Sequence, residues 1–249
     1  MKNFLIQTRT YNDNIIPATS FGYTAFEIAE YYHWFDKDDC RYAAHYLNPT
    51  YSPFLPSELT AQNIPVGSVE FALDWFKQAG IENIKPLNIP KELWEYCRHY
   101  ITIDKYSNVS GHFMMKDTDK IKAENNGEYF FHGVGGDDKK YFLSRWVEDV
   151  KSEWRAFIYD GDVRDIRCYS GDPWVIPDKA YVEEIAKIYS DISKKRAFTL
   201  DVMVTDCKTD IVELHDFFSC GLYGFEDYSV LPLMWSAAVT DIFKEAGKL

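Results

Sequence analysis

Between residues 141 and 169 three short segments rich in aromatic and β-branched residues follow one another: Tyr141 to Val147, Glu153 to Tyr159 and Val163 to Tyr169. Asp160-Gly161 separates the last two, and such a dipeptide between alternating runs is a strong hairpin signal. The middle of the chain is therefore expected to be an antiparallel meander. Upstream, Gly111 to Met115 and Tyr129 to Phe131 read as strands around KDTDKIKAENNGE, whose polar composition reads as a mobile loop. Downstream, Tyr181, Ile185, Ile188 and Ile192 mark an amphipathic helix. Phe198 to Val204 and Asp210 to His215 then give a second strand pair, and a final helix runs toward Lys248.

The N-terminal third has a different texture. Phe4 to Thr8 reads as a strand, Ala25 to Trp34 as a helix, and the Pro- and Tyr-rich stretch from Tyr46 to Pro65 as irregular. Val69, Ala72, Leu73 and Phe76 recur at helical spacing, and Gly80 follows where a helix C-terminus uses it. A further helix is expected from Pro90 to Tyr100, with Pro in its first turn and Leu93, Trp94 and Cys97 on one side. Mixed helices and strands first, then an antiparallel sheet, give an α+β class, with a border expected between residues 85 and 102, around IKPLNIP.

Charge narrows the function. The 39 acidic residues outnumber the 27 basic ones, a formal net charge of -12 that repels phosphate backbones and argues against nucleic acid. No apolar run is long enough for a spanning helix or signal-peptide core, so no membrane association is expected. Five cysteines without a CxxC pair read as reduced thiols of a cytoplasmic protein. GxGxxG, GxxxxGK, GxSxG, HExxH and EF-hand patterns are all absent.

Two segments carry candidate chemistry. In LDVMVTDCKTDIVELHD, residues 200 to 216, a hairpin turning about Cys207 sets Asp201 opposite Glu213, and Glu213 shares its face with His215. Two carboxylates and an imidazole so placed suit a divalent metal; an ordinary solvated strand face satisfies the same spacing. In residues 143 to 172, Glu148, Glu153, Arg155, Arg164 and Arg167 stand among apolar strand residues. Arginine forks match phosphate oxygens, and cross-strand ion pairing is the competing use. A two-residue turn at Asp160-Gly161 sets Arg155 opposite Ile166, whereas a three-residue loop brings Arg155 and Arg167 together. Lys116 ends the strand HFMMK beside the polar loop, where its amine can reach a cleft or solvent.

Taken together, Arg98, Lys116, the loop to Glu128, Ser144 to Val147, Glu153-Trp154-Arg155, Asp201 and Glu213-Leu214-His215 resemble the ordered parts of the ATP-grasp superfamily of carboxylate-amine ligases. PVGSVEF, EWRAFI and VELHDFFSCGLYGF look like a bacterial and phage clade in which arginine replaces the first lysine. The resemblance implies an ATP-grasp fold, two α+β subdomains clasping ATP over residues 91–249, after a small α/β pre-ATP-grasp domain over residues 1–90. It implies that Arg98 and Lys116 hold ATP phosphates, that the Ser144, Arg145, Trp146 and Val147 backbone meets adenine, and that Glu148 or Glu153 binds ribose. Asp201, Glu213 and His215 would hold Mg2+ or Mn2+, and Arg155 and Arg167 would stabilise the phosphoryl group in flight. The implied reaction joins a carboxylate to an amine through an acyl phosphate, on small-molecule or peptide substrates. Alternatives are a degenerate ATP-binding module without turnover and a metal-dependent hydrolase using the same three ligands. His215 departs from the family's Asn, which favours manganese or a weak second ion, and Asp117 departs from the usual Pro after the lysine.

Overall fold

A computed structural model of the chain describes residues 2–35, 41–47, 53–206 and 208–249. In chain order the elements are β1 (Lys2–Tyr11), β2 (Asn14–Pro17), α1 (Ser20–Phe35), β3 (Tyr42–Leu47), β4 (Asn63–Val66), α2 (Val69–Gln78), β5 (Ile101–Asp104), β6 (Ser110–Lys116), β7 (Gly127–His132) and β8 (Tyr141–Arg145). They continue with β9 (Ser152–Tyr159), β10 (Asp162–Gly171), α3 (Lys179–Ser193), β11 (Ala197–Val204), β12 (Thr209–Asp216) and α4 (Leu231–Glu245). The class is α+β. None of the described helices is long and apolar enough to cross a membrane.

The chain forms two compact units. The first comprises residues 1–82, 195–198 and 216–249. Its centre is β1, which pairs in parallel with β3 and β4 along its first half and antiparallel with β2 along its second. Phe4, Leu5 and Ile6 of β1 are fully buried, and Phe4 stacks on Tyr42 and meets the edge of Trp235 from α4. The stretch read as irregular between Tyr46 and Pro65 in fact supplies β4; residues 48–52 of it lie outside the described set. Pro65 is tolerated there, opposite Leu5, in a strand of only four residues.

The second unit, residues 83–194 and 199–215, holds two four-stranded sheets, β5-β8-β6-β7 and β10-β9-β11-β12. Asp160 and Gly161 both have positive φ, the twist a two-residue hairpin turn needs, so β9 and β10 join as the dipeptide predicts. The expected helix from Pro90 to Tyr100 is shorter: only Lys91–Tyr96 coil, as a 3-10 segment. Beyond it Cys97 is extended, and the Arg98 amide donates to the buried Asp210 carboxylate instead of to a helical carbonyl.

Candidate active site

One face of the sheet β10-β9-β11-β12 carries the candidate polar residues. Along β11, Leu200, Val202 and Val204 are buried in the core, while the alternate positions Asp201 and Met203 face the other way and are buried too. Along β12 the matching positions are Ile211, Glu213 and His215, and along β9 they are Glu153 and Arg155. A residue's parity thus decides whether it joins the core or the site.

Asp201, Glu213 and His215 each offer a ligand atom, and these atoms lie within 4.8 Å of one another. The His215 Nε2 is 2.8 Å from Glu213 Oε1 and 4.0 Å from Asp201 Oδ2. Protein cations already balance the two carboxylates. Arg155 donates from Nε and Nη2 to Asp201 at 2.8 and 2.7 Å, a buried bidentate pair, and Lys116 from β6 pairs with Glu213. Burial alone would raise the proton affinity of Glu213, but His215 and Lys116 outweigh it and hold the carboxyl well below its usual range. Glu153 shifts the other way, through burial and then the charges of Asp201 and Glu213. The same causes, led by burial, keep the Tyr169 phenol protonated on β10. Two oxygen donors and one imidazole on adjacent strands suit a hard or borderline divalent cation, Mg2+ or Mn2+.

A cavity of about 390 Å³ opens beside this cluster, in the size range of small-molecule sites. Met114 and Phe142 from one sheet and Met203 and Ile211 from the other give it apolar walls. Lys116, the Ser144–Val147 segment, Glu148 and Glu153 also line it, so all the residues expected around nucleotide except Arg98 share one lining. Arg98 stands elsewhere: its guanidinium lies over the Tyr181 ring, 4.9 Å from the centroid, and its neighbour His99 lines the cavity instead.

Arg155 and Arg167 are cross-strand partners, by a route the turn length alone does not give. The turn has two residues, and an irregularity between Val163 and Asp165 then inserts one extra position, which moves Arg167 opposite Arg155. Arg167 is held by Asp165 on its own strand, at 2.6 to 2.7 Å. The loop after Lys116 begins on a fixed point. Asp117 is buried, accepts from the Asp119 and Lys120 amides and from Lys139 Nζ, and donates its own amide to Asn126.

Sequence reading missed the buried pair His99 and Asp210. Asp210 accepts from the amides of Arg98 and Ile211 and bonds His99 Nδ1 at 2.8 Å, while His99 Nε2 is 2.9 Å from Ser144 Oγ. These three residues are 45 and 111 positions apart in the chain, and no spacing links them.

Residues 120–233 match the family model of the ATP-grasp domain, R2K clade family 2. Among solved structures, a RimK domain ATP-grasp protein from Sphaerobacter thermophilus DSM 20745 is 9% identical with a TM-score of 0.53, over 97% of this chain and 99% of that one. Phosphoribosylglycinamide synthetase from Anaerococcus prevotii is 10% identical with a TM-score of 0.49, over 96% of this chain and 75% of that one. D-alanine–D-alanine ligase from Bacillus anthracis is 11% identical with a TM-score of 0.47, over 98% and 97%. No curated protein sequence matches the chain significantly.

Proposed function

We propose that the chain is an ATP-grasp enzyme, an ATP-dependent ligase that joins a carboxylate to an amine; the match of residues 120–233 to the ATP-grasp family model and the fold shared with a RimK domain ATP-grasp protein support this reading. The observation that carries this reading is the continuity of the site: an apolar-walled cavity leads directly to Lys116 and to the Asp201, Glu213 and His215 cluster. The purine would lie between Met114 and Phe142 on one side and Met203 and Ile211 on the other, with Glu148 or Glu153 at the ribose; the apolar lining supports this reading.

Asp201, Glu213 and His215 would hold a divalent cation, Mg2+ or Mn2+, which would supply charge neutralisation for the phosphates. Lys116, paired with Glu213 at the end of β6, would turn its amine to the phosphates. Arg155, fixed by Asp201, and Arg167, fixed by Asp165, lie opposite each other and stabilise the equatorial oxygens of the transferred phosphoryl group. A carboxylate oxygen of the substrate attacks the γ-phosphorus and ADP departs. The amine then attacks the acyl carbon, phosphate leaves, and the amine proton goes to solvent. No nucleophilic side chain is required.

The test is ATP binding by calorimetry with each ion, followed by ADP release in the presence of mixed carboxylic acids and amines, for the native protein and Glu213→Gln. The expected result is metal-dependent binding and ADP release in the native protein and loss of the metal-dependent part in the variant. Binding without ADP release over a broad substrate panel would indicate a module without turnover, and hydrolysis without ATP would indicate the metal hydrolase.

A further inference from the structure

β7 is an end strand: in the sheet β5-β8-β6-β7 it pairs, among the described residues, with β6 alone, over six consecutive positions from Gly127 to His132. Its outer edge meets no other described strand. Edge strands are usually guarded by lysine, proline, a bulge or very short length, and β7 has none of these. Its sequence is Gly-Glu-Tyr-Phe-Phe-His, with Phe130 65% exposed and Tyr129 exposed beside it. The opposite end strand, β5, has only four residues and leaves no large apolar side chain in the open.

The two faces of β7 differ. On one, Phe131 stacks on Tyr106 at 5.4 Å and packs against a core cluster that includes Phe113, Met115 and Leu143. The alternate residues Glu128, Phe130 and His132 lie on the other face, opposite Met114, His112 and Ser110 of β6. There an aromatic row runs across the sheet from Trp146 to His112, stacked at 5.0 Å, and on to Phe130, 6.2 Å from His112. The row ends at the exposed Phe130 ring.

This edge is complementary to itself. Two antiparallel strands pair only through residues that both direct their amides outward or both inward, so a twofold register centres on a residue and not between two. Centred on Glu128, it would set two carboxylates opposite each other, and centred on Tyr129 it would set Glu128 opposite Phe130. Centred on Phe131, it would set Phe130 opposite His132 and carry Glu128 past the strand end. Centred on Phe130, it pairs Phe130 with Phe130, Tyr129 with Phe131 twice, and Glu128 with His132 twice, using the whole strand. A neutral or a protonated imidazole has an N–H to give a carboxylate, so the last pair is favourable in either state.

We propose that β7 is a self-association edge: a second copy of the chain pairs its β7 antiparallel to the first, centred on Phe130, and the two sheets become one. A second copy fits better than an unrelated strand because aromatic meets aromatic and acid meets imidazole at every pair outside the glycines, an isologous match. The aromatic row then continues through Phe130 of both copies and reaches Trp146 in each, a residue of the cavity lining. A six-residue strand contact is small for an interface, so association is expected in the micromolar range.

The test is sedimentation equilibrium of the full chain in reducing buffer, from about 1 to about 500 µM, for the native protein and Phe130→Glu, with circular dichroism to check folding. The native protein is expected to dimerise reversibly. Phe130→Glu, which sets two carboxylates opposite each other at the axis, should raise the dissociation constant by about tenfold or more. Register is read separately with Phe130→Cys and Tyr129→Cys, each treated with oxidised glutathione beside the native protein as a control for its own cysteines. Cβ atoms of directly opposed residues are about 4.5–5.5 Å apart, within reach of a disulfide after slight adjustment, whereas two copies of Tyr129 are diagonal neighbours about 7–8 Å apart. Phe130→Cys should therefore give a covalent dimer, and Tyr129→Cys severalfold less.

A native protein that stays monomeric throughout the range overturns the proposal, including one that pairs its edge with an added peptide instead. A dimer that Phe130→Glu leaves unchanged overturns it as well, because another surface then carries the contact. If Phe130→Glu fails to fold, the cysteine variants decide: cross-linking specific to Phe130→Cys supports the proposal, and equal or absent cross-linking overturns it.

Discussion

Replacing Arg155 by Met isolates the electrostatics of the proposed metal site. Arg155 and Asp201 are 7% and 2% exposed, and the guanidinium occupies both carboxylate oxygens at 2.8 and 2.7 Å. Methionine preserves the apolar stem and removes the charge, so the Asp201 carboxylate remains buried with its main counter-charge gone. The nearest remaining nitrogen of the cluster is His215 Nε2, at 4.0 Å. Breaking one side of a buried ion pair costs about 3–5 kcal/mol, and in a protein of this size each kcal/mol moves the melting midpoint by about 2–4 °C. The midpoint of Arg155→Met, measured by scanning calorimetry in chelator, should therefore lie about 6–20 °C below the native one. Adding Mn2+ should recover more of the deficit in the variant than it adds to the native protein, because the ion meets a carboxylate that no arginine holds. A midpoint within about 2 °C of native would refute the energetic argument. A deficit that Mn2+ leaves untouched would refute Asp201 as a ligand.

Two further outcomes follow from the same geometry. Asp117 is buried, which alone would raise its proton affinity, but Lys139 and the Asp119 and Lys120 amides outweigh burial and depress it. A depressed carboxyl adds stability above the unfolded value, near pH 3.9, and that stability is lost as pH falls below it through the folded value. Asp117→Asn should thus show a shallower loss of stability by urea titration between about pH 5 and 3, and a slope equal to native would contradict this. His215→Asn replaces the imidazole by an oxygen donor and should raise Mg2+-supported turnover relative to Mn2+-supported turnover. Loss of turnover with both ions would give the imidazole a separate role.

Periodicity carried the strands because their parity is a local property. The alternation of Leu200, Val202 and Val204 with Asp201 and Met203, and the dipeptide Asp160-Gly161, locate β11 and the β9–β10 turn without tertiary knowledge. The same alternation places Asp201, Glu213 and His215 on one face, which their mutual distances bear out. Sequence also marks Lys116 and the Ser144–Val147 segment, because both stand at strand ends that lead toward a cleft.

Tertiary structure decided everything that depends on pairing between distant segments. The helix expected to reach Tyr100 stops at Tyr96 because Asp210, more than a hundred residues later, takes the Arg98 amide that would have continued it. A single irregularity near Arg164 sets Arg167 opposite Arg155, and one added position in a strand leaves no periodic trace. His99 and Asp210 look like ordinary polar residues in the chain; only the approach of β12 and β8 to one imidazole joins them in a chain of hydrogen bonds. Local backbone preference fixes which face a side chain takes. Which groups meet on that face, and therefore what chemistry they can perform, is fixed by long-range packing.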